Sequence, residues 1–156
     1  MAKEIERKFL VKDTAFLTGL VGRVIVQGYL ADAPMTTRVR VIDDKAFLTL
    51  KGPTVGISRD EFEYEIPFED AQTLIAIYCG DRIVSKIRYE IAVDGHTFEV
   101  DVFTGRLTGL VLAEVEVGSE SEAYALTLPD WVGQDVSTDW AYANSSLSRA
   151  ASSVSA

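Results

Sequence analysis

The amino-acid sequence predicts a mainly β protein of the α+β class, in which eight antiparallel strands close into a barrel with a few flanking helices. Eight stretches alternate apolar and polar side chains and are rich in β-branched or aromatic residues, as strands with one buried face are. Asp43-Asp44 and Asp94-Gly95 separate neighbouring stretches as tight-turn material, which favours antiparallel hairpins. Closure into a barrel removes exposed sheet edges, and eight strands is a usual number for a small closed barrel.

The predicted strands occupy most of the chain up to residue 117. In order they are EIERKFLV, VIVQGYLA, TTRVRVI, AFLTLKG, RDEFEYEIP, IVSKIRYEIAV, HTFEVDVF and LVLAEVEV.

Four short helices are predicted around these strands. The first covers Asp13 to Leu20, and the second is the segment FEDAQTLIAIYC, which follows Pro67. The third, SESEAYAL, begins with a possible capping box formed by Ser119 and Glu122. The segment DWAYAN and the residues after it supply a fourth, before a Ser/Ala-rich tail from about residue 145. No repeat or linker divides the chain, so residues 1–156 are expected to form one domain.

Composition indicates a soluble, globular, cytoplasmic protein. Hydrophobic residues make up 47% and charged residues 25% of the chain, and no apolar run approaches the ~20 residues that cross a bilayer. No secretory signal is visible, and a lone cysteine, Cys79, forms no internal disulfide. A net charge of −9 disfavours nucleic-acid binding, and no membrane partner is expected. A homodimer is left open.

One face of nearly every predicted strand carries charged side chains of both signs. Residues two apart in a strand share a face, and the opposite face is apolar in most of these strands. A solvated outer face would explain any single strand. The repeated face, however, carries almost none of the Ser, Thr, Gln and Asn that a solvated face would include. Its members are Glu4, Glu6, Lys8, Arg38, Arg40, Lys51, Glu61, Glu63, Lys86, Arg88, Glu99, Asp101, Glu114 and Glu116.

A barrel with this face turned inward would hold a phosphate-binding and metal-binding cavity. Converging cations suit a polyanion, and the planar fork of arginine matches phosphate oxygens. The carboxylates would repel that ligand unless divalent cations lay between them, and oxygen ligands suit Mg²⁺ or Mn²⁺. A purely structural lattice of buried ion pairs is the alternative, although such burial rarely stabilises a protein.

The chain resembles the CYTH superfamily, the triphosphate tunnel metalloenzymes, and in particular its short bacterial members. The segment EIERK matches the ExExK signature of that superfamily. The segments RVR, LTLKGP, EFEYEIP, KIRYEI, FEVDVF and AEVEV follow in the same order, so the resemblance covers about residues 4–144. It implies an eight-stranded tunnel that binds a triphosphate end on with divalent cations and hydrolyses or cyclises it.

Roles for the charged residues follow from their chemistry and are strengthened by the resemblance. The predicted phosphate ligands are the basic residues Lys8, Arg38, Arg40, Lys51, Lys86 and Arg88. The predicted metal ligands are the carboxylates Glu4, Glu6, Glu61, Asp101, Glu114 and Glu116. Glu63, like Glu61 and Asp101, could complete a second metal site or orient water. Lys8 could form a proton-handling dyad with Tyr29, as proposed for thiamine triphosphatases, with an ordinary core tyrosine as the alternative.

The favoured substrate is inorganic tripolyphosphate, because a short chain with few insertions offers little apparatus for an organic group. Thiamine triphosphatase and class IV type adenylate cyclase are the alternatives within the family. A non-catalytic polyphosphate-binding module is the alternative from another class, and it could dispense with the carboxylates.

Overall fold

The computed structural model describes residues 3–150, which form one nine-stranded antiparallel sheet. The strands are β1 (Lys3–Val11), β2 (Arg23–Ala31), β3 (Thr36–Ile42), β4 (Lys45–Lys51), β5 (Ser58–Ile66), β6 (Ile83–Val93), β7 (His96–Phe103), β8 (Val111–Glu116) and β9 (Val132–Asp135). Residues 151–156, the end of the predicted Ser/Ala-rich tail, lie outside the described residues.

Eight of these strands close into a barrel, as the sequence predicts. Their order is β5-β4-β3-β2-β6-β7-β8-β1, and β1 returns to pair with β5. The closing seam is short, because only the first part of β1 pairs with β5, from Lys3 opposite Asp60 to Ile5 opposite Ser58. Closure leaves the barrel without a long free edge.

The ninth strand was not predicted. It pairs with the far end of β1, where Phe9 lies opposite Asp135 and Val11 opposite Val132. Its four residues, VGQD, contain a glycine and show no alternation of apolar with polar side chains, so the chain carries no periodic signal for it.

The helices are shorter than predicted. Residues 13–20 contain only the 3-10 turn Ala15–Leu17, since Thr14, Thr18 and Gly19 are poor helix formers and Gly19 has a φ of 82°. Helix α1 (Phe68–Thr73) follows Pro67 and continues as one π-helical turn, Leu74–Tyr78.

The capping box predicted at the start of α2 (Glu120–Tyr124) forms in part. The Ser119 hydroxyl accepts a hydrogen bond from the Glu122 N–H, whereas the Glu122 carboxylate accepts from the N–H of Gly118 rather than that of Ser119. The fourth helical region consists of a 3-10 turn, Trp140–Tyr142, followed by α3 (Asn144–Leu147).

The apolar faces of the strands pack on the outside of the barrel, against the helices and loops. Val39 and Ala46 pack with Ala71 of α1, and a larger cluster centred on Phe9 and Phe98 lies on the other side. Gly28 of β2 allows a close approach, because a Cβ at this position would lie 2.6 Å from the sulfur of Cys79. With the apolar faces outside, the charged faces point into the lumen.

The described helices are all short. None of those within residues 3–150 has the length and apolar character that would let it cross a membrane.

Candidate active site

The lumen of the barrel is a charged cavity of about 210 Å³. Thirteen of the fourteen predicted site residues line it, and Asp101 is the exception. The lining residues that carry charge are Glu4, Glu6, Lys8, Arg38, Arg40, Lys51, Arg59, Glu61, Glu63, Lys86, Arg88, Glu99, Glu114 and Glu116. Seven of these are carboxylates and seven are cations, so the lumen is close to neutral overall.

The strand order separates most of the charges onto two walls. The neighbouring strands β4, β3, β2 and β6 carry Lys51, Arg38, Arg40, Lys86 and Arg88, with neutral Gln27 and Tyr29 on β2 between the two pairs. The other half of the barrel, β7, β8, β1 and β5, carries every lumen carboxylate. Lys8 and Arg59 are the cations on this acidic wall.

Lys8 and Arg40 form no ion pair with any carboxylate of residues 3–150. The Lys8 ammonium donates to the carbonyl oxygen of Tyr142 at 3.1 Å, and Arg40 Nε donates to Gln27 Oε1 at 2.9 Å. Burial, together with the neighbouring Arg38 and Arg88, lowers the pKa of Arg40 to about 10. Both side chains therefore lack a carboxylate of residues 3–150 within ion-pair distance, although Lys8 faces Glu114 across the β1–β8 pair and, against the effect of burial, helps to hold the pKa of Glu114 below its ordinary value.

Arg38 is almost as open to an anion. Its closest carboxylate, on Glu63, is 3.7 Å away, and its Nη2 donates to the Thr49 hydroxyl at 3.3 Å. Its Nε is buried without a hydrogen-bond partner, the only such side-chain atom among the described residues. Buried donors are normally satisfied, so this N–H is one that an anion bound in the lumen could satisfy.

At the barrel seam, Lys51 and Arg59 are paired with Glu4. The Lys51 ammonium lies 3.2 Å from Glu4 and 3.2 Å from Glu61, and Arg59 Nε donates to Glu4 at 2.9 Å. Burial alone would raise the pKa of Glu4, but Lys51 and Arg59 outweigh it and lower that pKa to about 2. Glu4 is therefore ionised and held in place.

Asp101 lies beneath the lumen surface and not on it. Its two oxygens accept from Arg88 at 2.7 and 2.9 Å, and one of them is also 2.7 Å from the Lys86 ammonium. Burial would raise the pKa of Asp101, but Lys86 and Arg88 hold it below its ordinary value. A carboxylate engaged in this way orients two lumen cations, and the structure gives it no exposed oxygen for a metal ion.

The acidic wall places like charges opposite one another. Glu6 faces Glu116 across the β1–β8 pair, and Glu114 faces Glu99 across the β7–β8 pair. Directly opposed like charges destabilise a sheet. Burial, Glu114 and Glu4 together raise the pKa of Glu6 well above its ordinary value. A divalent cation between these carboxylates would remove the repulsion.

The donor set fits a hard cation but does not form a complete cage for one. Among residues 3–150, no group of three or more potential ligands is close enough to hold an ion without other ligands. Mg²⁺ is commonly held by one or two carboxylates together with substrate phosphates and water, so this arrangement fits a metal that arrives with an anion. The chemistry of the carboxylates, rather than a preformed geometry, is what fits Mg²⁺ or Mn²⁺.

Tyr29 and Lys8 do not form the expected dyad in this structure. The Tyr29 hydroxyl accepts from Gln27 Nε2 at 2.9 Å, while the Lys8 ammonium donates to the backbone of Tyr142. Both side chains nevertheless line the cavity.

Several polar residues that contact the charged side chains of the lumen were absent from the predicted site, among them Arg59, Gln27, Thr49 and Asn144. The first three could have been found by extending the alternation. Arg59 lies on the same strand face as Glu61 and Glu63, and Gln27 lies on the same strand face as Tyr29, because residues two apart share a face. Thr49 shares a strand face with Lys51, is fully buried, and accepts from Arg38. Asn144 comes from the start of α3, and its contact with Lys86, 2.8 Å from its Oδ1, has no signal in the sequence.

The fold and the lumen together define a β-tunnel protein whose interior carries charges of both signs. The CYTH domain family model matches residues 2–149, and the chain belongs to this family, which confirms the resemblance seen in the sequence.

Relatives of similar length share the whole of this region. The inorganic triphosphatase of Acetivibrio thermocellus is 43% identical over 148 residues, covering 94% of both chains. The inorganic triphosphatase of Nitrosomonas europaea is 40% identical over 148 residues, covering 92% of this chain and 95% of that one. A crystal structure of an inorganic triphosphatase superimposes with a TM-score of 0.71 at 35% identity, covering 97% of this chain and 98% of the other.

Proposed function

We propose that the protein is a divalent-metal-dependent triphosphatase that hydrolyses inorganic tripolyphosphate inside the tunnel. The observation that carries this proposal is the group of Lys8, Arg38 and Arg40, lumen cations whose side-chain hydrogen bonds within residues 3–150 all go to neutral acceptors. Relatives at 40% and 43% identity are named inorganic triphosphatases, which supports the same reaction for this chain.

The basic residues bind and polarise the phosphate chain. Arg38 and Arg40 lie two apart on β3, so their guanidinium groups can contact neighbouring phosphates of one linear triphosphate. Charge-assisted hydrogen bonds of this kind stabilise the negative charge that moves between phosphates during phosphoryl transfer. Asp101 fixes Lys86 and Arg88, and we therefore assign it to positioning rather than to metal binding.

The carboxylates Glu6, Glu114 and Glu116 are the residues that would hold Mg²⁺ or Mn²⁺, with Glu4 and Glu61 beside them. When bound, the metal supplies Lewis-acid polarisation of the phosphate and lowers the pKa of a coordinated water. Hydrolysis then needs no nucleophilic side chain, because catalysis of phosphoryl transfer depends mainly on position and charge.

Glu63 is suited to orient the attacking water. One of its oxygens accepts from the Thr49 hydroxyl at 2.9 Å, and its side chain is 42% exposed at the lumen. The other oxygen can accept from a water molecule near the bound phosphate. The role of the Lys8 ammonium is to contact phosphate, since its present partner is a single backbone carbonyl.

An organic triphosphate is the second candidate, and one feature favours it. A cavity of about 400 Å³ adjoins the tunnel at Glu6 and Lys8, and Trp140, which is 78% exposed, lies on its rim. The tunnel itself, at about 210 Å³, is smaller than the ~300–1,000 Å³ of typical pockets for drug-sized ligands, which favours an inorganic substrate there.

Phosphate release from tripolyphosphate, ATP, thiamine triphosphate and pyrophosphate, each with Mg²⁺ and with Mn²⁺, tests the proposal. The expected result is fastest turnover of tripolyphosphate and none in excess chelator. Cyclic AMP should be assayed in the ATP sample, because its formation would identify a cyclase. Binding of tripolyphosphate without turnover under any metal would identify a binding module and overturn the enzymatic proposal.

A further inference from the structure

Two neutral amides lie inside the cationic wall and connect its two halves. Gln27 of β2 is fully buried and faces Arg40 of β3 in the strand register. Gln27 Oε1 accepts from Arg40 Nε at 2.9 Å, and its Nε2 donates to Asn144 Oδ1 at 3.1 Å. Asn144 Oδ1 in turn accepts from the Lys86 ammonium at 2.8 Å. A continuous chain of hydrogen bonds therefore runs from Arg40 to Lys86.

The direction of every bond in this chain is fixed by chemistry. The Nε of arginine and the ammonium of lysine can only donate, so the oxygens of Gln27 and Asn144 must face them. The Gln27 amide nitrogen is then left to donate to Asn144 and to the Tyr29 hydroxyl, at 2.9 Å. Since Tyr29 accepts this bond, its own O–H is available to donate toward the lumen.

The neutrality of the two amides has a consequence for charge. A carboxylate at position 27 would hold Arg40 with an ion pair and cancel the charge that a phosphate would otherwise meet. An amide of the same shape holds the guanidinium through a hydrogen bond and leaves its charge in place. Asn144 holds Lys86 in a similar way, because it accepts from the ammonium without adding a second negative charge beside Asp101, the carboxylate partner of Lys86.

The barrel also fixes the position of Asn144. Arg82 donates to the carbonyl of Ser145 at 3.0 Å, and Arg106 donates to the carbonyl of Ser148 at 2.7 Å. These bonds tie α3, in which Asn144 is the first residue, to the barrel end, so the amide reaches the lumen from a held segment.

We propose that Gln27 and Asn144 are positioning residues that hold Arg40 and Lys86 by neutral hydrogen bonds and so keep the charge of Arg40 free for the triphosphate. The inference rests on the proposed function, because it assigns Arg40 and Lys86 to substrate binding. Neither amide acts on the reacting atoms. Each acts through the cation that it contacts.

The test compares Gln27→Glu with Gln27→Met. Glu keeps the size of glutamine and adds a charge that pairs with Arg40, so the Kd and KM for tripolyphosphate should rise by about 10- to 100-fold, as expected for loss of one charge-assisted contact. Met keeps the volume of glutamine but cannot accept the hydrogen bond from Arg40, so Arg40 is no longer held in place. For this variant kcat should fall by several-fold, with a smaller rise in KM. Asn144→Asp should likewise raise KM, while its carboxylate still accepts from Lys86.

Gln72→Glu provides the matched control, because Gln72 is exposed on α1 and the substitution makes the same change in net charge. It should leave Kd and KM unchanged. A double-mutant cycle with Arg40→Ala shows whether the effect of Gln27→Glu on Kd depends on Arg40. If Gln27 acts through Arg40, Gln27→Glu should add little to the loss in Kd that Arg40→Ala already causes.

The outcomes separate the two proposals. A wild-type protein that neither binds nor hydrolyses tripolyphosphate would overturn the proposed function itself. An active wild type with Gln27→Glu binding tripolyphosphate as tightly as wild type would overturn only the role of the amide. Additive effects of Gln27→Glu and Arg40→Ala on Kd would also overturn the role of the amide. So would a Gln27→Glu protein with a lower folded fraction but an unchanged KM, since a purely structural role predicts that result.

Discussion

Replacing Asp101 by asparagine should destabilise the protein even when no metal is present. Asp101 is fully buried and accepts three contacts of 2.7 to 2.9 Å from Lys86 and Arg88. Asparagine keeps an acceptor but removes the charge. Lys86, whose pKa burial already lowers to about 7, then loses its carboxylate partner, while Arg88 keeps Glu99 at 3.0 Å. Breaking a buried ion pair by removing one partner costs about 3–5 kcal/mol, and the retained acceptor places this variant near about 3 kcal/mol.

For a domain of this size, a loss of about 3 kcal/mol corresponds to a fall of about 6–12 °C in the thermal midpoint. The measurement is thermal and urea unfolding of wild type and Asp101→Asn in excess chelator. Asp60→Asn is the matched control, because Asp60 pairs with Lys3 at 2.8 Å at the surface and its loss should cost at most about 1 kcal/mol.

A metal ligand would behave differently at this position. If Asp101 bound a metal ion, Asp101→Asn would leave the unfolding midpoint in chelator unchanged and would raise the metal concentration needed for half-maximal turnover. That pair of results would refute the assignment of Asp101 to the support of Lys86 and Arg88.

Three further predictions concern different parts of the molecule. Because the pKa of Glu6 is raised, this residue should make the native state more stable in chelator as pH falls from 7 toward the ordinary carboxyl pKa of about 4.3. Glu6→Gln should therefore raise the unfolding midpoint at pH 7 and reduce its pH dependence, to which Glu61, Glu99 and Glu116 with raised pKa values also contribute; equal slopes for the two proteins would contradict it. Arg38→Ala should weaken tripolyphosphate binding about 10- to 100-fold by calorimetry, and unchanged affinity would remove Arg38 from the site. Gly28→Ala should lower the free energy of unfolding in urea by about 1–3 kcal/mol, because the added Cβ would lie 2.6 Å from the Cys79 sulfur. Adding Cys79→Ala should recover part of that free energy, and no recovery would contradict the packing argument.

The alternation of side chains determined most of what the sequence could predict. A strand has a period of two, so the chain itself states that Glu4, Glu6 and Lys8 share a face, and closure of the barrel then brings such faces together. The same rule identifies the β-strands whose charged faces form the lumen. It applies equally to Arg59 and Gln27, which lie within the predicted strands and share a face with Glu61 and Tyr29, although the predicted site did not include them.

Alternation along a strand assigns a side chain to a face but not to a depth, and this is why the sequence could not predict that Asp101 lies beneath the lumen surface. Asp101 has the same parity as Glu99, yet Arg88 and Lys86 cover it completely. The place of Asn144 in the lumen could not be predicted from the local sequence pattern, because it depends on contacts of α3 with side chains far away in sequence, such as Arg82. Contacts of that kind depend on tertiary packing, for which a single sequence carries no periodic signal.

The order of strands around the barrel explains why the lumen can hold equal numbers of both charges without neutralising all of them. Strands β3 and β6, which carry Arg38, Arg40, Lys86 and Arg88, are separated by β2 with its neutral Gln27 and Tyr29, and the strands rich in carboxylates lie on the opposite half. Had the signs alternated from strand to strand, each cation would meet a carboxylate across the ladder, as Lys51 meets Glu61 on β5. Segregation instead leaves an electropositive wall facing an electronegative one. A polyanion can lie on the first and a divalent cation on the second, with the phosphate oxygens between them as ligands to both.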